Sequence, residues 1–417
     1  MFATIKQIFK PKNKDIQKKL LFTLGALFIF KLGTAITVPG VDIDPDGLGF
    51  LEIVNAMSGG AFEKASIFAL GVMPYITASI IIQLLSMDII PYLSDLRNQG
   101  GVGRNKLNQI TRITGIVLAF IQGYLYSFAY IQNGQPMDYM MYSLVLTAGT
   151  CLLLWVGDQV TAKGIGNGIS LIIMAGIITT LPSMFVSLWN ELLGGANQFI
   201  GLLTFALFVF AFLAIIVGVI YIECAERRLP IQYANKSTTM SGNRNYIPFK
   251  LNSAGVMPVI FASAPISIIQ IIAEVINNAD FSLFVTKYLS YDKPVGLIIY
   301  ILLIFLFAYF YTFMQMKPSE IADNLNKNGG YILGVRPGQE TTDYITKVLN
   351  RITIVGACFL AVLASLPILI SNFTTINTNI SISGTGLLIV VGVALETCRQ
   401  LESELVSRTY KKGRRGR

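Results

Sequence analysis

The chain has 417 residues, 53% of them hydrophobic and only 13% charged, with 32 Lys+Arg against 23 Asp+Glu and a net charge of +9. Water-soluble domains carry about 25% charged residues, so this composition excludes a soluble globular protein. Histidine is absent, which removes imidazole metal ligands, HExxH zinc hydrolysis and histidine general-base catalysis together.

In chain order, a basic stretch (Lys10, Lys12, Lys14, Lys18, Lys19) leads into an apolar run from Leu20 to Val38. That run is too long for a signal-peptide core and lacks a small-residue cleavage site, so it reads as the first permanent span. An acidic loop follows (Asp42, Asp44, Asp46, Glu52), and then a short apolar piece, Ala61 to Phe68, that cannot cross a bilayer. Gly59 and Gly60 precede this piece and Gly71 and Pro74 follow it, so a half-helix of two to three turns, hinged at both ends, is expected at about 60–70. It either re-enters the membrane or lies in the interface.

Further spans are predicted over 70–90, 111–131, 141–157, 168–188, 201–222, 255–275, 295–315, 352–371 and 384–400, ten in all with the first. Pro74, Pro258, Pro265 and Pro367 punctuate them, and backbone freed by proline in lipid must be satisfied by protein or by a wet cavity. Gly-Ile-Gly-Asn-Gly-Ile-Ser, Gly164 to Ser170, is no phosphate loop: no strand precedes it and no Lys-Ser/Thr follows. It reads as a glycine-rich helix entry with Asn167 or Ser170 near the N-cap. Cys151, Cys224, Cys358 and Cys398 form no CxxC pair, so neither a disulfide framework nor a zinc site is indicated. No cofactor, metal or catalytic residue is expected.

With the N-terminus inside, 28 of the 32 Lys+Arg fall in inner segments or at their span ends, and only Lys64, Lys287 and Lys293 lie outside. Positive charge is retained on the cytoplasmic side, so both termini are read as cytoplasmic and the net charge needs no nucleic acid. Ten spans split around Asn190 to Gln198 into five and five, and an odd number per half inverts the second half. The expected organisation is 1–195 and 196–417, with large polar loops at 223–254 and 316–351.

Long ordered segments then carry a resemblance. GAFEKASIFALGVMPYITASIIIQLL (Gly60 to Leu85), GVGRNKLNQITR, GIGNGISLIIMAGI, ERRLPIQYA, NSAGVMPVIFASAP, RPGQET and GTGLLIVVGVALETCRQLESEL together resemble the SecY family, the pore-forming subunits of bacterial Sec translocases. The resemblance implies an all-α polytopic fold of ten transmembrane helices, in two inverted halves forming a clamshell around an hourglass pore. It implies a pore ring at Ile76, Ile80, Ile173, Ile177, Ile260 and Ile389. It also implies a plug over Ala61, Phe62, Ala65, Ser66, Ile67 and Phe68, and a lateral gate between the second and seventh spans with Gln83, Gln122 and Ser263 as polar members. Arg227, Arg228, Arg244, Lys250 and Arg336 match loop positions that engage SecA or the ribosome. The implied partners are SecE, SecG, SecA, the ribosome, precursors bearing signal peptides, and the lipid bilayer of the bacterial cell membrane. Ile82 is expected to face lipid. Asn105 stands where the family usually has a second arginine, and an accessory SecY paralogue with few substrates is an alternative.

Two other classes share part of the pattern. A secondary transporter with inverted repeats would place coupled ionisable groups mid-membrane, and only Lys31 comes close. An intramembrane protease would need a GxGD pattern, which Trp155 breaks ahead of Gly157-Asp158. The expectation is a channel without chemistry of its own.

Overall fold

The computed structural model describes residues 14–39, 58–62, 64–87, 89–131, 135–193, 198–233, 246–276, 279–289, 293–373 and 383–415. The acidic loop, Arg244 and residues 194–197 of the polar stretch after Asn190 lie outside them. Apolar composition dictates helix, because a backbone in lipid must satisfy its own hydrogen bonds. The helices are α1 (Lys14–Gly33), α2 (Met73–Leu85), α3 (Pro91–Asn98), α4 (Gly101–Tyr130), α5 (Pro136–Lys163), α6 (Gly168–Leu193) and α7 (Gln198–Cys224). After strands β1 (Glu226–Tyr233) and β2 (Tyr246–Lys250) come α8 (Met257–Ile276), α9 (Ala279–Tyr288), α10 (Pro294–Gln315) and α11 (Pro318–Lys327). Strand β3 (Gly330–Ile332), α12 (Gln339–Phe373) and α13 (Ser383–Arg415) complete the order.

Each of the ten predicted spans falls on one of these helices. Among the described residues, five stretches are long and apolar enough to cross a membrane by length and composition alone: Pro136–Lys163, Gly168–Leu192, Phe199–Cys224, Pro294–Lys327 and Gln339–Leu366. Helix α7 is apolar on every face, and Phe199, Leu207, Phe210, Val217 and Tyr221 are all exposed. In water such a helix would aggregate; in a bilayer these are lipid contacts. The second span differs from its prediction. Helix α2 has 13 residues, about 20 Å of rise against a hydrocarbon core of about 30 Å. It ends where Ser86 takes over as cap, its N–H donating to the Ile82 carbonyl at 2.9 Å. Ile82 is buried, not lipid-facing, because α2 packs against α4.

The described contacts divide the chain into two compact units. One comprises Met1–Gly195, Ser267–Ser282 and Ile389–Arg417, and the other Ala196–Ile266 and Leu283–Leu388.

The second unit contains the clearest departure from an all-helical reading. The two polar loops fold together into an antiparallel sheet of order β2-β1-β3, a local addition to a helical fold. Strand β1 alternates, with Leu229 and Ile231 inward and Arg228, Pro230 and Gln232 exposed. Pro230 is tolerated because β3 pairs only with residues 231–233 of β1, so that its missing N–H costs no ladder bond on that side. Phe249, Ala322 and Leu325 of α11, Ile332, and Ile345, Leu349 and Ile352 of α12 close the core beneath. Replacing Leu349, fully buried in this core, by alanine is expected to cost about 2–5 kcal/mol. The loss is expected in hydrogen exchange as faster opening of β1–β3 and α11, with α5 and α6 unchanged.

Candidate functional site

The segment from Ser58 to Val72 is not the expected half-helix. It runs as successive turns. Gly59, Gly60 and Gly71 take positive φ, and Ala65 does so as well at φ 41°, a region that non-glycine residues seldom occupy. The chain bends repeatedly because its hydrogen bonds go elsewhere than to an i−4 ladder. Val38 N–H donates to the Ala65 carbonyl at 2.9 Å and Ile67 N–H to the Ile36 carbonyl at 3.1 Å, which pairs Thr37 with Ser66 antiparallel. Within the segment, Ser66 N–H donates to the Ala61 carbonyl at 2.9 Å and Phe62 N–H to Ser58 Oγ at 3.2 Å. Phe68 N–H donates to Ser66 Oγ at 3.2 Å.

Most of its described side chains are buried among the helices of the first unit, with Lys64 exposed. Phe62 meets Tyr126 of α4 edge-on, with ring centroids 5.2 Å apart, and Phe68 stacks on Phe30 of α1 at 6.3 Å. Val38, Ala65, Ala69 and Leu70 share one apolar cluster with Ala119 of α4 and with Tyr142 and Leu146 of α5. Ile67 is partly buried against that cluster. Gly59 lies against α6, its backbone close to Gly176 and Thr179, one helical turn from Ile173 and beside Ile177.

All six predicted ring isoleucines are buried. Ile76 and Ile80 share a face of α2 and Ile173 and Ile177 a face of α6, through i, i+4 spacing; Ile389 opens the part of α13 that belongs to the first unit. Ile260, on α8, belongs to the second unit.

The three polar residues assigned to a gate behave differently from one another. Gln83 donates from Nε2 to Ser79 Oγ at 3.0 Å within α2, and its Oε1 is buried with no hydrogen-bond partner among the described residues. Ser263 is buried, and its hydroxyl donates to the Ile260 carbonyl at 2.8 Å. Gln122 is partly buried on α4. The glycine-rich entry of α6 matches its reading: Asn167 Oδ1 accepts from Ile169 N–H at 3.1 Å.

The basic residues lie on the sheet platform of the second unit. Arg227, Arg228 and Lys250 are exposed, and Lys250 pairs in register with Glu226. Arg228 donates from Nε to Glu226 at 2.7 Å and lies over the Tyr246 ring at 4.8 Å. The Glu226 hydrogen bond, followed by Tyr246, holds the Arg228 guanidinium above its ordinary pKa. Arg336 projects from a turn between Gly334 and Gly338, both at positive φ, and its side chain is 87% exposed. Sequence reasoning missed a cleft of about 310 Å³ lined by Arg227, Leu251, Tyr344, Lys347, Arg351 and Val355 among others. Its signal was available, since the α12 residues recur at i, i+3, i+7 and i+11 along one face. No cluster of His, Cys, Asp or Glu able to hold a metal occurs among the described residues.

Solved structures of protein-conducting channels share this helical fold. The chain matches "The structure of a protein conducting channel" with TM-score 0.66 at 19% identity, covering 94% of this chain and 93% of that one. It matches a structure described as "The plug domain of the SecY protein stablizes the closed state of the translocation channel and maintains a membrane seal" with TM-score 0.68 at 19% identity and the same coverage. A channel in the canine ribosome-channel complex from the endoplasmic reticulum follows, with TM-score 0.62 at 18% identity and coverage of 94% and 93%. The chain belongs to the SecY family: the family model matches residues 66–398. It is 44% identical over 427 residues to protein translocase subunit SecY of Staphylococcus carnosus, and 45% identical over 428 residues to that of Bacillus subtilis, covering 99% of each chain in both pairs.

The buried Gln83 Oε1 yields a prediction. Gln83→Leu is nearly isosteric and removes a buried acceptor whose burial costs about 1–3 kcal/mol along with a bond to Ser79 of about 0.5–1.5 kcal/mol, so it is expected to stabilise the protein by about 1 kcal/mol net. A thermal unfolding series in detergent checks this, and a lowered midpoint would contradict it.

Proposed function

We propose that this chain is the pore-forming subunit of a bacterial Sec translocase. It conducts unfolded polypeptides across the cytoplasmic membrane and releases apolar segments sideways into lipid. The observation that carries the reading is the docked segment at Ser58 to Val72, buried among the helices of a SecY-family chain.

In this reading the halves 1–195 and 196–417 face each other across the conduit. Ile76, Ile80, Ile173, Ile177, Ile260 and Ile389 form an aliphatic collar between them. Aliphatic side chains suit a non-selective passage: they offer no fixed hydrogen bond or charge to any one polypeptide, and a narrow apolar constriction holds ions back by dewetting. Ala61, Phe62, Ala65, Ser66, Ile67 and Phe68 act as the plug on the outer side. Opening of α2 from α8 forms the lateral gate, with Gln83, Gln122 and Ser263 as its polar members. Hydrogen bonds between membrane helices average only about 0.6 kcal/mol, weak enough for an apolar segment to part the helices.

The chain carries no nucleotide-binding motif, so energy enters from outside. Both termini and the sheet platform are cytoplasmic, and Arg227, Arg228, Arg244, Lys250 and Arg336 receive SecA or the ribosome there. Likeness in fold to the ribosome-bound canine channel supports the second partner. SecE and SecG complete the membrane complex.

Proteoliposomes holding the complex and SecA are expected to import a precursor bearing a signal peptide only when ATP is supplied. An exposed arginine outside the folded core contributes little to stability, within about 0.5 kcal/mol. Arg336→Glu is therefore expected to lower import about tenfold or more while insertion and thermal stability are unchanged, a deficit of about 1.4 kcal/mol in coupling. Import of the unaltered complex that never exceeds empty vesicles would contradict the function; normal import by Arg336→Glu would contradict the contact.

A further inference from the structure

We infer that Gly33 of α1 and Gly149 of α5 are the seat of the plug, two notches whose missing side chains set how firmly the segment docks and how readily the channel leaves its closed state. The inference rests on the channel reading above and adds the residues that control it. A methyl group on Gly149 would overlap the Ile67 carbonyl oxygen, and would come within 3.0 Å of the same carbonyl carbon and of Ile67 Cγ2. A methyl group on Gly33 would overlap the ring of Phe68. The nearest atoms at both positions belong to the segment alone, on consecutive residues, with no neighbouring helix among them. Ile67 turns its carbonyl to α5, and Phe68 turns its ring to α1, where Phe30 stacks on it.

Glycines in membrane helices ordinarily let another helix approach. Gly123 of α4 does so: its two nearest atoms belong to the Ser143 backbone of α5, and only the third, at 3.5 Å, to Leu70 of the segment. A methyl group on Gly25, two turns before Gly33 on α1, would meet nothing within 4 Å among the described residues. The contrast within one helix shows that the notch at Gly33 belongs to the plug and not to α1 generally. The two notches also resist replacement in different ways. A displaced Phe68 ring loses its stacking, whereas the Ile67 carbonyl is backbone and moves only if the whole turn moves, together with its hydrogen bond to Ile36. Alanine is intrinsically better than glycine inside a helix, so removing the plug removes the nearest obstacles to both substitutions.

This dependence on the plug makes the test. Gly149→Ala, Gly33→Ala and the control Gly25→Ala are compared by resting ion conductance of the complex in planar bilayers, each with the plug intact and with residues 61–70 deleted. With the plug intact, Gly149→Ala and Gly33→Ala are expected to raise resting conductance about tenfold or more, which corresponds to about 1.4 kcal/mol, and Gly25→Ala leaves it unchanged. In the deleted background all three conduct alike. Parental conductance in both notch variants while the deletion leaks overturns the seat, and so does a rise that persists after deletion, because the effect then lies in the bundle. A deletion that does not leak overturns the plug reading itself. Where Gly149→Ala fails to assemble, Gly33→Ala carries the test, since it meets only a side-chain ring.

Discussion

In a hydrocarbon solvent every peptide N–H and C=O must find a partner inside the protein, at a cost of several kcal/mol for each one left open. Helices meet that demand residue by residue. The segment at Ser58 to Val72 does not, yet it lies buried, so its backbone is satisfied partly by turns within itself and partly from outside. The end of the first span supplies the partners: Ile36 and Val38 bond the segment across the Thr37–Ser66 pair. The serine hydroxyls of Ser58 and Ser66 accept two further N–H groups. A segment held by a few bonds and by close packing, rather than by a continuous ladder, can leave and return as a unit. That property suits a seal and would be a defect in a span.

The same solvent explains the division of labour in the chain. Lipid-facing helices such as α7 carry apolar residues all round and little else. The polar sequences between spans concentrate in the second unit and fold into a small water-facing body with its own core, centred on Leu229, Phe249 and Leu349. Exposed arginines on such a body sit on a scaffold firm enough to present them, which disordered loops would not provide. The apolar helices, the docked segment and the water-facing sheet thus follow from one rule applied in two solvents.

Much of this was legible in the sequence. Runs of apolar residues gave ten spans, each of which meets a helix, and the glycine and proline punctuation around Ala61 to Phe68 marked a segment too short to cross, though as a half-helix and not as the turns it forms. Its conformation was not legible, since the bond between Ile36 and Ile67 is a contact that no local pattern announces. The platform strands were missed because Arg227, Arg228 and Pro230 mask the alternation of Leu229 and Ile231, and because β1 finds its partners across separate loops. Ile82 was misread because burial on α2 depends on packing against α4, including the close approach of Gly115 to Tyr75. The ring isoleucines were picked out by family resemblance; spacing alone would have left them as ordinary packing residues. Gly33 and Gly149 carried no signal at all, because glycine is common in membrane helices for several reasons.

The central claim is that polypeptide passes along the face of α2 that carries Ile76. A photocrosslinker placed at Ile76, in membranes charged with a stalled precursor and SecA, tests it most directly, with the exposed Val117 of α4 as the lipid-facing comparison. The account predicts an ATP-dependent crosslink from Ile76 to the precursor and crosslinks from Val117 to lipid only. A precursor that never reaches Ile76 in a correctly assembled complex, or that reaches Val117 equally well, would contradict it.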